Sequence, residues 1–124
     1  NIVELLCTYD PLSKGGKSPD GRKVKGTLHW VSADHAVDIN IREYDRLFCD
    51  EAPDSHKDKD FKEFINMNSL KTVTNCKAEP FINNAETGDK FQFERKGYFT
   101  KDKDSTDTNI FFNRTVTLRD SWKK

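Results

Sequence analysis

The chain has 124 residues, 34% of them hydrophobic and 34% charged, and its 21 Lys and Arg balance 21 Asp and Glu to zero formal charge. That length suits one domain with a hydrophobic core, while the charge balance argues against a generic polyanion binder, which carries a strong basic excess. No apolar run reaches the roughly 18 residues of a membrane span, and no secretory signal peptide is visible.

In chain order, residues 2–9 read as a strand entered from a turn, as though the chain began inside a hairpin. Residues 11–21, rich in Gly, Pro and Ser, read as a mobile loop within a single domain spanning residues 1–124. Strands follow at 23–32 and 37–44, joined by a turn at 32–36 with Ser32 as its cap. Residues 58–67 are the best helix candidate, because Phe61, Phe64 and Ile65 share one helical face and Asp60 can cap the start. Further strands are expected at 69–76, 90–95, 97–100 and 109–118, with a helical turn from Pro80 to Ala85 ending near Gly88. This spacing suits an all-β fold, an antiparallel barrel that is closed or nearly closed, with one or two short helices.

Few motifs carry chemistry. Gly16-Lys17-Ser18 resembles the end of a phosphate-binding loop, but that pattern needs a glycine where Pro11 stands. His29, His35 and His56 have no paired spacing and Cys7, Cys49 and Cys76 no CxxC pattern, so neither a metal site nor a disulfide framework is expected. Free thiols point to a reducing, cytoplasmic setting. No catalytic constellation stands out. Most of the aromatic complement, Trp30, Tyr44, Phe48, Tyr98, Phe99, Phe111, Phe112 and, after the last strand, Trp122, is expected in the core.

The run Phe91-Gln92-Phe93-Glu94-Arg95-Lys96-Gly97-Tyr98-Phe99 is the most informative. Alternate strand residues point to opposite faces, so Phe91 and Phe93 can anchor a core while Gln92 and Glu94 face outward. Gln92 offers an amide donor and acceptor, Glu94 an acceptor and Arg95 a planar fork of donors, a set that suits the edges of nucleic-acid bases. A plain amphipathic strand with a solvated polar face has the same periodicity. Acidic residues gather at 50–60 and 102–107, and basic ones at 22–25 and around Arg95, Lys96, Arg114 and Arg119. A fold that joins the basic segments presents a phosphate-binding face; otherwise they are dispersed over a solvated surface.

This run, together with Cys7-Thr8-Tyr9-Asp10, the stretch from Asp20 to Ser32, Ile41 to Phe48 and Phe112 to Trp122, resembles the C-terminal region of glutaminyl-tRNA synthetases, in the same order and at similar spacing. Residues 49–87 follow that family only loosely. The resemblance implies one of two anticodon-binding β-barrels of the kind seen in a ribosomal 5S-RNA-binding protein. It also implies a fragment of a larger ATP-dependent enzyme, with ATP and all chemistry confined to a catalytic domain upstream and no cofactor here. Carried over residue by residue, Gln92, Glu94 and Arg95 face the unstacked anticodon bases, with Glu94 orienting Arg95. Arg119 and Ser121 are secondary candidates, Ser121 standing where many relatives have Thr. The implied partners are the tRNA(Gln) anticodon loop and the remainder of the synthetase, with neither membrane nor DNA. Two alternatives stay open: a protein-interaction barrel, and the related barrel of a glutamyl-tRNA synthetase, whose Tyr-Asp-x-Leu-Phe type of segment is shared by Tyr44 to Phe48.

Overall fold

The structure, a computed structural model, describes residues 1–13, 17–23, 25–26 and 28–118. The chain divides into two units, Asn1–Trp30 and Val31–Lys124. In the first unit the described residues form turns rather than strands. Asp10 organises one of them, its carboxylate accepting from the Leu12 amide and the Ser13 hydroxyl, each at 3.0 Å. Ile2, Val3, Leu5, Leu6 and Tyr9 are all exposed. The strands expected at 2–9 and 23–32 are therefore not formed among the described residues, since a strand exists only by pairing and no ladder reaches them.

The second unit is built on one sheet. Its strands are β1 (Val37–Tyr44), β2 (Leu70–Ala78), β3 (Lys90–Phe93), β4 (Gly97–Lys101) and β5 (Ile110–Val116), in the spatial order β2-β1-β5-β4-β3. All neighbours are antiparallel except β1 and β5, which run parallel with Ile39 opposite Ile110 and Ile41 opposite Phe112. The fold is mostly β, as expected, but β2 and β3 are edges and the sheet is open. The expected barrel, closed or nearly closed, is not seen to close, because the five strands form one open sheet.

Alternation along these strands builds a core on one face. Ile39 of β1, Phe99 of β4 and Ile110 and Phe112 of β5 are buried there, and Val37, Ile41, Cys76, Phe91 and Phe93 pack against them. A short 3-10 helix, Pro80–Asn84, begins with the proline where a missing amide costs nothing, and it lays Ile82 and Ala85 on this face. Burial raises the pKa of the Cys76 thiol, so this core cysteine is a packing residue.

The helix expected over residues 58–67 shrinks to the 3-10 helix Phe61–Phe64. Its Asp60 cap is present as a capping box, with the Asp60 carboxylate accepting from the Lys62 amide at 2.9 Å and Glu63 accepting from the Asp60 amide at 3.2 Å. The helix stops because Ile65 turns extended and pairs with Phe48. The Cys49 amide donates to the Phe64 carbonyl and the Asn66 amide to the Leu47 carbonyl, both at 2.8 Å. Tertiary pairing has overridden helical periodicity.

Candidate nucleic-acid interface

The face of the sheet opposite the core is polar. Gln92 stands at the centre of β3 and is exposed, while its neighbours Phe91 and Phe93 turn inward. The anchoring is aromatic: Phe93 stacks on Phe99 with centroids 4.6 Å apart and lies 5.3 Å from Phe112, and Phe91 meets Phe112 edge-on at 5.7 Å. With Phe99 and Phe112 buried, these rings hold the strand so that a rotation of Gln92 inward would drag phenylalanines into water.

The strand expected to run to residue 95 ends at Phe93. Glu94, Arg95 and Lys96 form the turn between β3 and β4, closed by the Lys96 amide donating to the Phe93 carbonyl at 2.9 Å. Arg95 takes a left-handed conformation, φ 61°, and Gly97 follows at φ 142°. Gly97 has no room for a side chain: a Cβ there would lie 2.6 Å from the Val116 carbonyl oxygen. The glycine thus lets β4 approach β5 and carries the turn to the end of the sheet. Glu94 and Arg95 are both exposed, and their charged groups approach to 4.0 Å. Gln92 thus lies on the edge strand β3, and Glu94 and Arg95 lie in the turn that follows it.

Across the ladder, Gln92 pairs directly with Tyr98, so both side chains rise from the same face. Tyr98 is 44% exposed. The expectation that the aromatic complement is mostly core holds for Phe99 and Phe112 and fails at Trp30, Tyr44 and Tyr98, all of which are exposed. The signal for Tyr98 was in the sequence: it precedes Phe99 on one strand, and adjacent strand residues cannot both face inward.

Further along this face a hydrogen-bonded network joins β1, β5 and the loop after β4. The Tyr44 hydroxyl donates to Asn113 Oδ1 at 2.7 Å, Asn113 Nδ2 donates to Asp102 Oδ2, and Arg42 Nη1 donates to the same oxygen at 2.9 Å. The Arg42 guanidinium also lies over the Phe111 ring, 4.4 Å from its centroid. The Asp104 amide, then Asn113 and Arg42, hold the Asp102 carboxyl below the usual carboxylate range. Asp102 is buried and fully engaged, which marks the network as a brace for the face.

Arg114 lies opposite inward-facing Phe99 and donates to Glu43 at 2.7 Å, at the margin of the core face. Its pair borders an open groove of about 1030 Å³ shared with Tyr44, Phe48 and Lys71. Lys90 and Lys96 accompany Gln92 and Arg95, all exposed. Arg119, Ser121 and Trp122 lie outside the described residues. Among the described residues no group of three or more His, Cys, Asp or Glu is placed to hold a metal ion, and no helix is long and apolar enough to cross a membrane.

Comparison with known proteins adds a family. Residues 27–102 match the profile of the family described as tRNA synthetases class I (E and Q), anti-codon binding domain. The chain is similar to proteins named glutamine-tRNA ligase: 52% identical over 125 residues in Rhodopirellula baltica, 53% over 124 in Pseudomonas syringae pv. tomato and 49% over 124 in Nitrobacter hamburgensis. These alignments cover 98–100% of this chain and 21–22% of each relative, so the chain spans about a fifth of the length of the proteins it matches.

Proposed function

The chain belongs to the anticodon-binding domain family of class I glutamyl- and glutaminyl-tRNA synthetases, and from that membership we propose that its polar sheet face reads the anticodon loop of tRNA(Gln) on behalf of a cytoplasmic glutamine-tRNA ligase. The observation that carries this is the placement of Gln92 and Arg95, both exposed and anchored by a buried phenylalanine cluster. The relatives' names favour the glutaminyl assignment over the glutamyl one.

Recognition needs no covalent step in this domain. Loop bases unstack, and the Gln92 carboxamide and Arg95 guanidinium hydrogen-bond their edges, while Glu94, at 4.0 Å, orients Arg95. Arg119 and Ser121 add secondary contacts. A mismatched base leaves these groups unpaired at a cost of about 1–3 kcal/mol each, which favours aminoacylation of the cognate tRNA. ATP serves the aminoacylation chemistry, to which no residue of this chain is assigned.

In the full-length ligase, Gln92→Ala or Arg95→Ala should raise the KM for tRNA or lower turnover by roughly tenfold with the melting temperature unchanged. Steady-state charging of cognate tRNA checks this, and unaltered kinetics in both variants would refute the assignment. A second role, contact with the rest of the synthetase chain, is favoured by exposed Ile2, Val3, Leu6 and Tyr9, an apolar display that a folded protein ordinarily covers. Cross-links from this segment to the remaining domains would support it, and cross-links to none would remove it.

A further inference from the structure

Tyr98 is an aromatic residue placed where no core needs it. Its strand neighbour Phe99 is 2% exposed and stacked on Phe93, whereas Tyr98 is 44% exposed on the polar face. In a chain that is only 34% hydrophobic, large apolar surface is scarce, and a ring left 44% exposed forfeits part of the burial that the core would otherwise gain. The backbone under Tyr98 is held in place. Its carbonyl accepts from the Thr115 hydroxyl at 3.1 Å, and the ladder between β4 and β5 shifts register between Tyr98 and Phe99. Such a bulge re-aims the side chain beside it.

The direct cross-strand partner of Tyr98 is Gln92. Directly opposed residues on an antiparallel pair have Cβ atoms about 4.5–5.5 Å apart, so a flat group lying on the tyrosine ring presents its edge to the glutamine carboxamide. The π-face is indifferent to base identity, and the amide is selective. Arg95, in the turn that closes the same hairpin, adds a cation at that end of the face. Resting on the assignment of Gln92 to base reading, we infer that Tyr98 is the stacking platform for the unstacked base whose edge Gln92 reads, so that one hairpin supplies both affinity and selectivity for a single nucleotide.

The test uses full-length ligase carrying Tyr98→Leu or Tyr98→Phe, with tRNA transcripts bearing 2-aminopurine or an abasic site at each anticodon position in turn. Tyr98→Leu should weaken binding of unmodified tRNA by about tenfold, and Tyr98→Phe by no more than about twofold. Quenching of 2-aminopurine should be lost in the leucine variant at one position only. At that position the abasic tRNA should bind wild type and Tyr98→Leu equally. A leucine variant that binds like wild type, or whose loss persists with every abasic tRNA, overturns the stacking role, the second result marking a merely structural one. Gln92→Ala separates the two layers. If it relaxes discrimination at one position while Tyr98→Leu has no effect, the stacking inference alone falls; if neither variant has an effect, the base-reading assignment falls with it.

Discussion

Asp102 shows how much one buried carboxylate can organise. It accepts from Arg42, Asn113 and the Asp104 amide, linking β1, β5 and the loop after β4. Replacing it leaves Arg42 only the looser Asp104 contact at 3.5 Å and the Phe111 ring. Asp102→Asn should therefore cost about 1–3 kcal/mol at pH 7, read as a lower urea midpoint. The sign with pH follows from the depressed folded pKa. The carboxylate's contribution is complete above its ordinary value of 3.8 and is lost as pH falls through the lower value of the folded state. Wild type and variant should converge as pH falls below 3.8, and a stability gap that stays constant there would contradict the brace. The distant partners, Arg42, Asn113 and Tyr44, were not visible in the sequence, because the network joins residues up to 69 positions apart. Part of the inward set was visible, since Phe91 and Phe93 are assigned by alternation alone.

Among the elements, those with a local cause were readable and those with a distant cause were not. β1 falls at the expected 37–44, and β4 and β5 lie within a residue or two of their expected ends, because β-branched and aromatic alternation bounded by turn residues is a local property. The helix at 58–67 failed since the pull of the 45–49 segment on Ile65 and Asn66 is tertiary. Closure into a barrel was not legible either, because strand spacing counts strands but does not show which of them pair. The hairpin of β3 and β4 offers an element-scale test. Gly97→Ala meets the Val116 carbonyl and a disfavoured φ together, and should lose at least about 1–3 kcal/mol while moving Arg95 and weakening tRNA binding. Gly88, at φ 91° with nothing within 4 Å of a built Cβ, is the matched control, so Gly88→Ala should show strain alone and leave binding unchanged. Equal melting temperatures and equal tRNA affinities for the two variants would show that the close approach at Gly97 does not pin the turn.

At the scale of the whole molecule, zero net charge sets what kind of RNA binder this is. Arg42 is engaged by Asp102 and Asp104, Lys77 by Asp38 and Arg114 by Glu43, while Lys90 and Lys96 stay exposed near Gln92, so base-edge and phosphate contacts have to be told apart by salt. Binding through base edges has a different salt signature from binding through counterion release. In the full-length ligase, Gln92→Ala should lower tRNA affinity by the same factor at 50 mM and 200 mM salt, because an amide contact releases no ion. Arg95→Ala should flatten the plot of log affinity against log salt by less than about one unit, the most that a single phosphate contact contributes. Titrations across that range distinguish the two behaviours residue by residue. A Gln92→Ala defect that fades as salt rises would mean that the glutamine supports a general electrostatic contact, and the reading of bases would have to be sought elsewhere on the sheet.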